Sequence, residues 1–288
     1  MHIEKITSNI IKLKQPQFGS PAWEVSNVYF VGEKEIVLVD AGYPTQESIN
    51  FTFSQWKNLG KPKIRAVLLT HAHLDHMGGV LEIQRETGAP IFAHADEHEH
   101  FKQMLPQGKI DVLVNEGDII EVDGMKIRAI HLPGHATGHM GYFIEQSQFL
   151  FTGDLIVGSG YAVIVPPRGI MEQYMDSLEK LKNMSIRLIL PGHGEVIKNP
   201  QSKIQEYIVH RILREIQILK ALEDGPREIE SIAEEIYYDM APVLKKAGRF
   251  QVLAHLEKMA REKLVEAIRD ERENKVSYRS LVGKLPFL

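Results

Sequence analysis

The chain of 288 residues contains no cysteine. That excludes disulfide bonds and thiolate metal ligands together, so any metal ion must be held by His, Asp or Glu. A cytoplasmic setting fits this absence. No apolar run approaches the roughly 20 residues needed to span a bilayer. The opening stretch MHIEKITSNIIKLK mixes charged and apolar residues and lacks the uninterrupted core of a signal peptide. An excess of one charge is also missing. Formal net charge is −4, so nothing in the overall balance points to a polyanionic partner. The remainder is ordinary for a soluble globular protein, with 43% apolar and 25% charged residues. The length suits one large domain, or one domain with a small appendage.

What the chain does have is histidine, concentrated in Thr70 to Gly79 (THAHLDHMGG). The apolar run before it, Ile64 to Leu69, is too short for a helix and rich enough in branched residues for a buried strand. In an extended segment, side chains two apart point the same way. His71 and His73 can therefore present two imidazoles to one point, and Asp75 and His76, beyond the turn, to a second. Imidazole and carboxylate are the donors expected for zinc or a similar divalent ion. A polar loop that merely contains three histidines would leave them unpartnered at a buried strand end, which is costly.

Other strand ends repeat the pattern. Ser26 to Val31 and Glu35 to Val39 flank the turn Gly32-Glu33-Lys34 and predict a hairpin that ends at Asp40. Asp40 is either a turn former or an acceptor that orients a ligating histidine. Gln46 to Leu59 predicts a helix with Ile49, Phe53 and Trp56 inward, Gly79 to Thr87 a short helix, and Ile91 to Ala93 a short strand. Alternation around Asp123-Gly124 predicts a hairpin across Val122 to His131. It leads into Leu132-Pro133-Gly134-His135-Ala136-Thr137-Gly138-His139, where spacing alone does not choose between His135 and His139. The hairpin of Tyr142 to Glu145 and Gln148 to Phe151 ends at Asp154, and the strand Arg187 to Leu190 ends at Pro191-Gly192-His193. His94, His98 and His100 lie in a charged segment that reads as a solvated helix start rather than a second metal cluster. Alternating strands and helices predict an α/β or α+β layered fold, with a site gathered at strand ends and loops.

These blocks, THAHLDH, PGH at His135, TGD at Asp154 and PGH at His193, resemble the metallo-β-lactamase superfamily in kind and in order over most of residues 1–200. The resemblance implies an αββα sandwich with a two-metal site at one edge of its sheets. It implies that His71, His73 and His135 hold one ion, that Asp75, His76 and His193 hold the other, and that Asp154 bridges them. Asp40 and His139 match family positions that are not ligands. With no cysteine ligand and with His76 kept, the set is similar to the glyoxalase II, lactonase and ribonuclease-like branches rather than to antibiotic-hydrolysing members.

From Gln201 the character changes. Lys203 to Leu222 predicts an amphipathic helix with Ile204, Ile208, Ile212, Ile216 and Leu219 in one stripe. Gly225-Pro226 breaks it, Glu228 to Tyr238 and Gly248 to Lys263 predict two more helices, with Val252, Leu256 and Met259 inward, and Leu264 to Ile268 with Lys275 to Leu281 predicts a hairpin turning through Asn274. Helices followed by a hairpin make a winged-helix pattern. Residues 201–288 are read as a C-terminal winged-helix-like domain after a catalytic domain of residues 1–200, similar to the β-lactamase-like endoribonuclease group. This segment carries 16 basic and 15 acidic residues, without the strongly basic surface of most nucleic-acid readers. Lys245, Lys246, Arg249, Lys258, Arg261 and Lys263 cluster around the third helix but are diluted by Glu257 and Glu262. The domain is expected to buttress the catalytic domain, wall its cleft or make a homodimer contact.

The resemblance implies a hydrolase in which two divalent ions, zinc first and iron or manganese next, share a hydroxide that attacks a carbonyl carbon or a phosphorus. Asp75 is expected to steer that attack in addition to ligating. The Gly- and Pro-rich segment from Asp154 to Tyr174 is expected to meet the substrate, more weakly through Tyr161 than through Arg168, which either holds an anionic group or caps the following helix and bonds loop carbonyls. The near-neutral C-terminal segment favours a small carbonyl ester, thioester or lactone, with metal-dependent cleavage of single-stranded RNA as the alternative.

Overall fold

The structure is a computed structural model that describes residues 2–16, 25–270 and 275–283. Two mixed sheets face each other. The first has seven strands in the order β1 (Ile3–Thr7), β2 (Ile10–Lys14), β3 (Asn27–Gly32), β4 (Glu35–Val39), β5 (Lys63–Leu68), β6 (Ile91–Ala93) and β7 (Val112–Leu113). The second runs β8 (Ile119–Val122), β9 (Met125–His131), β10 (Met140–Ile144), β11 (Phe149–Gly153) and β12 (Leu188–Pro191). Strands joined by tight turns pair antiparallel. Those joined through helices, β4 to β7 and β11 to β12, pair parallel, as the longer crossover requires.

The strands read as continuous apolar runs because both faces of each sheet are covered. In β3 and β4, Tyr29, Val31, Val37 and Val39 turn inward to meet Ala129, Tyr142 and Phe151 of the second sheet. The alternate residues Val28, Phe30, Ile36 and Leu38 face outward against helices. That outer layer is α1 (Gln46–Asn58), the single turn α2 (Leu74–Met77), α3 (Val80–Thr87) and α4 (His98–Met104). Trp56, Met77, Ile83 and Phe101 are its buried contacts, and Phe53 packs at the margin. The second sheet is covered by α5 (Met171–Lys182), α6 (Pro200–Ala221) and α8 (Pro242–Arg261), through Tyr174, Leu178, Ile204, Tyr207 and Ala254.

After α6 come β13 (Arg227–Glu228), α7 (Ile229–Ile236), α8, β14 (Val265–Asp270) and β15 (Lys275–Ser280). The last three strands pair in the order β13-β15-β14 around a separate apolar cluster that includes Ile218, Ile232, Val252, Leu256, Met259 and Tyr278. The turn expected through Asn274 lies outside the described residues. No helix among the described residues is long and apolar enough to cross a membrane.

Three expectations need correction. In α6 Ile204, Ile208 and Leu219 are buried, but Ile212 is 47% exposed and Ile216 only partly buried. Steps of four residues advance about 40° beyond a full turn, so a line of such steps drifts off the inward face. Tyr207, Arg211 and Ile218 occupy that face instead. Helix α8 starts at Pro242, not Gly248. Proline suits a first helical turn, and Gly248 lies inside the helix where a Cβ would meet the Tyr237 ring at 2.5 Å. The segment holding His94, His98 and His100 is only partly solvated: His98 is exposed, yet Glu97 beside it is fully buried.

Candidate metal centre

Both sheets end at one edge, and the histidines and aspartates sit on those ends. Strand β4 delivers Asp40, and β5 runs through Thr70 into His71. The chain is still extended at His73, which begins α2, so Asp75 and His76 project from a first helical turn. The β9–β10 loop brings His135, and β11 and β12 end in Asp154 and His193. Glycine permits the close approach at each Pro-Gly-His. A Cβ on Gly192 would meet Asp154 Oδ1 at 2.5 Å, and one on Gly134, at φ 128°, would meet the Tyr174 backbone at 2.3 Å.

All seven residues expected as ligands come together. His73 Nδ1 lies 2.9 Å from His71 Nε2 and 3.0 Å from His135 Nε2. On the other side, His193 Nε2 lies 3.2 Å from His76 Nε2 and 3.1 Å from Asp75 Oδ2. Asp154 stands between: Oδ1 is 3.3 Å from His76 Nε2, and Oδ2 is 3.4 Å from His193 Nε2 and 3.8 Å from His135 Nε2. Three overlapping groups, His71/His73/His135, His71/His76/Asp154 and Asp75/His76/His193, have donor atoms within 4.8 Å of one another.

The donor chemistry fits cations. Val163 O can only accept, so His135 Nδ1 donates to it at 2.8 Å and leaves Nε2 as a bare lone pair. Asp40 Oδ2 accepts from His76 Nδ1 at 2.8 Å, which leaves Nε2 as the nitrogen that exchanges its proton for a cation. Thr70 Oγ1, which gives its own proton to Asp40, accepts from His71 Nδ1 at 3.0 Å. The lone pairs of His135 and His71 and the Nε2 of His76 are thus turned into one buried space, where Asp154 Oδ1 has no hydrogen-bond partner among the described residues. Such an array is unfavourable without a positive charge to face it.

Proton affinities follow the same division. Burial, then neighbouring imidazoles, holds His71 well below its ordinary value and His73 down to about 3. Burial also works against a charge on His193 and His76. There the carboxylates of Asp154 and Asp75 outweigh it, raising His193 to about 9 and His76 well above the usual range. Burial pushes Asp154 up, but His193 and His76 pull it well below the carboxylate range.

The other expected positions fall out as follows. Asp40, with the left-handed φ of 62°, is both turn former and orienter, since it accepts from Thr70 N–H at 2.8 Å as well as from His76. His139 Nε2 accepts from Asp154 N–H at 3.1 Å and is thereby occupied. Arg168 Nη2 donates to Glu97 Oε2 at 2.5 Å, while its Nη1 is buried without a partner among the described residues. Tyr161 turns toward α6, its ring stacked on His210 at 3.5 Å and 9°.

Two functional features are not visible in the spacing of motifs. Glu97 accepts from Ala72 N–H at 2.7 Å and Gly138 N–H at 3.0 Å. It thereby braces the loop between His71 and His73 and the loop after His135. Its charged surroundings in sequence mimic a solvated helix start, and nothing local marks it as buried. His94 stacks on His131, centroids 4.3 Å apart, beside Asp96. Their ring nitrogens are engaged within the chain: His94 Nδ1 accepts from Asp96 N–H at 3.2 Å, and His131 Nε2 donates to Thr137 O at 3.0 Å.

Comparison with known proteins agrees with this geometry. Residues 21–193 match the Metallo-beta-lactamase superfamily family model. An atrochrysone carboxyl ACP thioesterase of Aspergillus fumigatus is 30% identical over 240 residues, covering 81% of this chain and 70% of its own length. A beta-lactamase-like protein 2 homolog of Caenorhabditis elegans is 28% identical over 271 residues, with coverage of 92% and 88%. In fold, a metallo-beta-lactamase family protein from Thermus thermophilus superposes with a TM-score of 0.80 at 21% identity, covering 95% of this chain and 99% of that one. The chain belongs to the metallo-β-lactamase superfamily, and within it this is a hydrolase.

Proposed function

We propose that the protein is a dinuclear-metal hydrolase of a small carbonyl ester, thioester or lactone. The observation that carries this is the convergence of His71 Nε2, His73 Nδ1 and His135 Nε2 at 2.9 and 3.0 Å, beside the second group around Asp154. His71, His73 and His135 would hold one ion and Asp75, His76 and His193 the other, and Asp154, which lies between the two groups, would serve both. When bound, the ions supply Lewis acidity and a water acidified to near neutrality; zinc suits the His/Asp donors, as do iron and manganese. Asp75 is the more open carboxylate, 28% exposed at its side chain against 13% for Asp154. This supports reading Asp75 as the carboxylate that steers the attack or receives the proton. Arg168, whose Nη2 is held by Glu97, is the candidate in the 154–174 segment for an anionic substrate group, although its Nη1 is buried before substrate arrives.

The segment whose Val163 O accepts from His135 Nδ1 is consistent with a small, partly apolar substrate. Val163 and Val165 are 39 and 40% exposed, whereas Ala162 and Ile164 are buried. Tyr161, at the start of this segment, lies against His210 of α6. Two features bear on single-stranded RNA. Residues 201–288 have the helix, strand, two helices and hairpin order of a winged helix, and we read them as such a domain following residues 1–200. Their cations, however, are largely engaged: Lys258 with Glu215 at 3.0 Å, Arg261 with Glu172 at 3.5 Å and Arg249 with Glu230 at 3.8 Å. The Lys246 side chain lies outside the described residues. Paired cations have little left for phosphates, which favours the small molecule. The A. fumigatus relative, by its name a thioesterase, points the same way, and the absent cysteines suit a cytoplasmic location.

The test is a panel of acyl thioesters, lactones and single-stranded RNA, assayed with metal-replete protein and with Asp154→Ala. Turnover of a thioester or lactone that vanishes in the variant supports the proposal. Cleavage of RNA alone, abolished by the same substitution, overturns its substrate class.

A further inference from the structure

Helix α6 carries a buried cation for which the centre's own residues give no reason. Arg211 is 2% exposed on the inward face of that helix, and among the described residues no carboxylate pairs with it. Its Nη2 donates to Ala162 O at 2.6 Å and its Nη1 to Gln251 Oε1 at 2.7 Å. Gln251 of α8, itself buried, donates from Nε2 to Ile164 O at 3.3 Å. The carbonyl between those two, Val163 O, accepts from His135 Nδ1 at 2.8 Å. Three consecutive carbonyls are therefore engaged, the outer two by the C-terminal helices and the middle one by a histidine of the centre. Tyr207, one turn earlier on α6, holds the same loop upstream by accepting from Val157 N–H at 3.0 Å. The guanidinium carbon lies 4.9 Å from the centre of the Tyr174 ring, where an aliphatic side chain would pack without any desolvation cost. Beside its contact with the Tyr174 side chain, its two hydrogen bonds go directly or through Gln251 to the 162–164 backbone.

We propose that Arg211 and Gln251 are positioning residues for the metal centre: they fix the 162–164 backbone so that Val163 O keeps His135 in the tautomer whose Nε2 faces the ion. The C-terminal helices thereby complete the centre. This rests on the metal-centre reading above, and residues that orient a ligand's second nitrogen typically change metal affinity on the order of ten- to a hundredfold.

Arg211→Lys keeps the charge but presents a single ammonium that cannot serve both Ala162 O and Gln251 Oε1. Gln251→Ala removes the Ile164 bond and the Nη1 acceptor but leaves Arg211 on Ala162 O. It is the milder variant, used to decide the matter where Arg211→Lys does not fold. Zinc affinity is measured in the full chain by competition with a chromophoric chelator, and Co(II) absorption reports the ligand field. In metal-free protein, NMR follows solvent exchange of the His135 Nδ1 proton, with the His76 Nδ1 proton, held by Asp40, as an internal control. The expected result is zinc binding weakened about tenfold or more, an altered Co(II) spectrum, and faster exchange at His135 with His76 unchanged. Variants that melt at lower temperature but keep wild-type zinc affinity and His135 exchange would overturn the proposal, leaving Arg211 a packing residue. Should the wild-type chain bind no zinc, the metal reading falls, and His135 exchange alone decides the positioning claim.

Discussion

Replacing Asp40 by asparagine tests how the centre is held, because it changes one atom type and leaves the backbone alone. Asparagine tolerates the φ of 62° as well as aspartate does. In the wild type, Asp40 Oδ1 accepts from Thr70 N–H at 2.8 Å and Oδ2 accepts from His76 Nδ1 at 2.8 Å. An amide must keep its oxygen toward the Thr70 N–H, which turns its NH2 toward His76. Two donors cannot share that bond, so the imidazole moves its proton to Nε2, the nitrogen that faces His193 and Asp154. A protonated Nε2 cannot ligate. The lost charge-assisted hydrogen bond is worth roughly 1.5–3 kcal/mol, and second-nitrogen partners of ligating histidines change metal affinity about ten- to a hundredfold; the two ranges agree. Metal content after dialysis against a chelator, with competitive titration of each ion, reads the effect. The Asp75/His76/His193 ion is lost first, and the His71/His73/His135 ion stays. An Asp40→Asn protein that keeps both ions at wild-type affinity would refute the reasoning and leave Asp40 a turn former only.

Glu97→Gln should lower stability by about 2–3 kcal/mol, since it unpairs Arg168 and weakens the brace on Ala72 and Gly138; a urea midpoint unchanged from wild type would contradict this. Burial, the leading cause, holds His255 down to about 4 against an ordinary 6.5, and Glu215 offsets it only in part. The unfolded chain therefore binds the extra proton first, and stability falls as pH drops from 6.5 toward 4. This one residue contributes about 2 kcal/mol of loss by pH 5, and His255→Gln should flatten that part of the stability–pH curve. Stripping metal should destabilise the fold, by about 2.7 kcal/mol relative to protein held at a free-ion concentration 100 times the dissociation constant. A melting temperature indifferent to chelator would show that the ions do not bind the folded state preferentially.

The candidate ligands were legible in the sequence as short contiguous motifs at strand ends, where period-two geometry and a turn aim His71, His73, Asp75 and His76; spacing left His135 and His139 open, and the grouping with Asp154 and His193 came from the family resemblance. The central strands were legible for a related reason: both faces are buried, so they appear as unbroken apolar runs. The braces were not. Glu97 sits among charged neighbours that look solvated, and Arg211 sits in a helix whose apolar pattern seems to continue through Ile212 instead. A charge on an inward face is discarded by any rule that sorts residues by polarity, yet both of these are buried because their partners, backbone groups and the side chains of Arg168 and Gln251, are far away in sequence. Arg168 shows the converse limit: its chemistry was readable as anion-binding, but its tie to Glu97 follows from α4 and the 162–168 loop meeting in space, which no local motif records.

The most direct measurement is anomalous diffraction from crystals of the purified protein, collected across the manganese, iron and zinc edges. The expected map has two peaks, one enclosed by His71, His73 and His135 and one by Asp75, His76 and His193, with Asp154 between them. No peak there, or a single peak elsewhere on the chain, would contradict the claim that these seven side chains gather to hold a pair of ions.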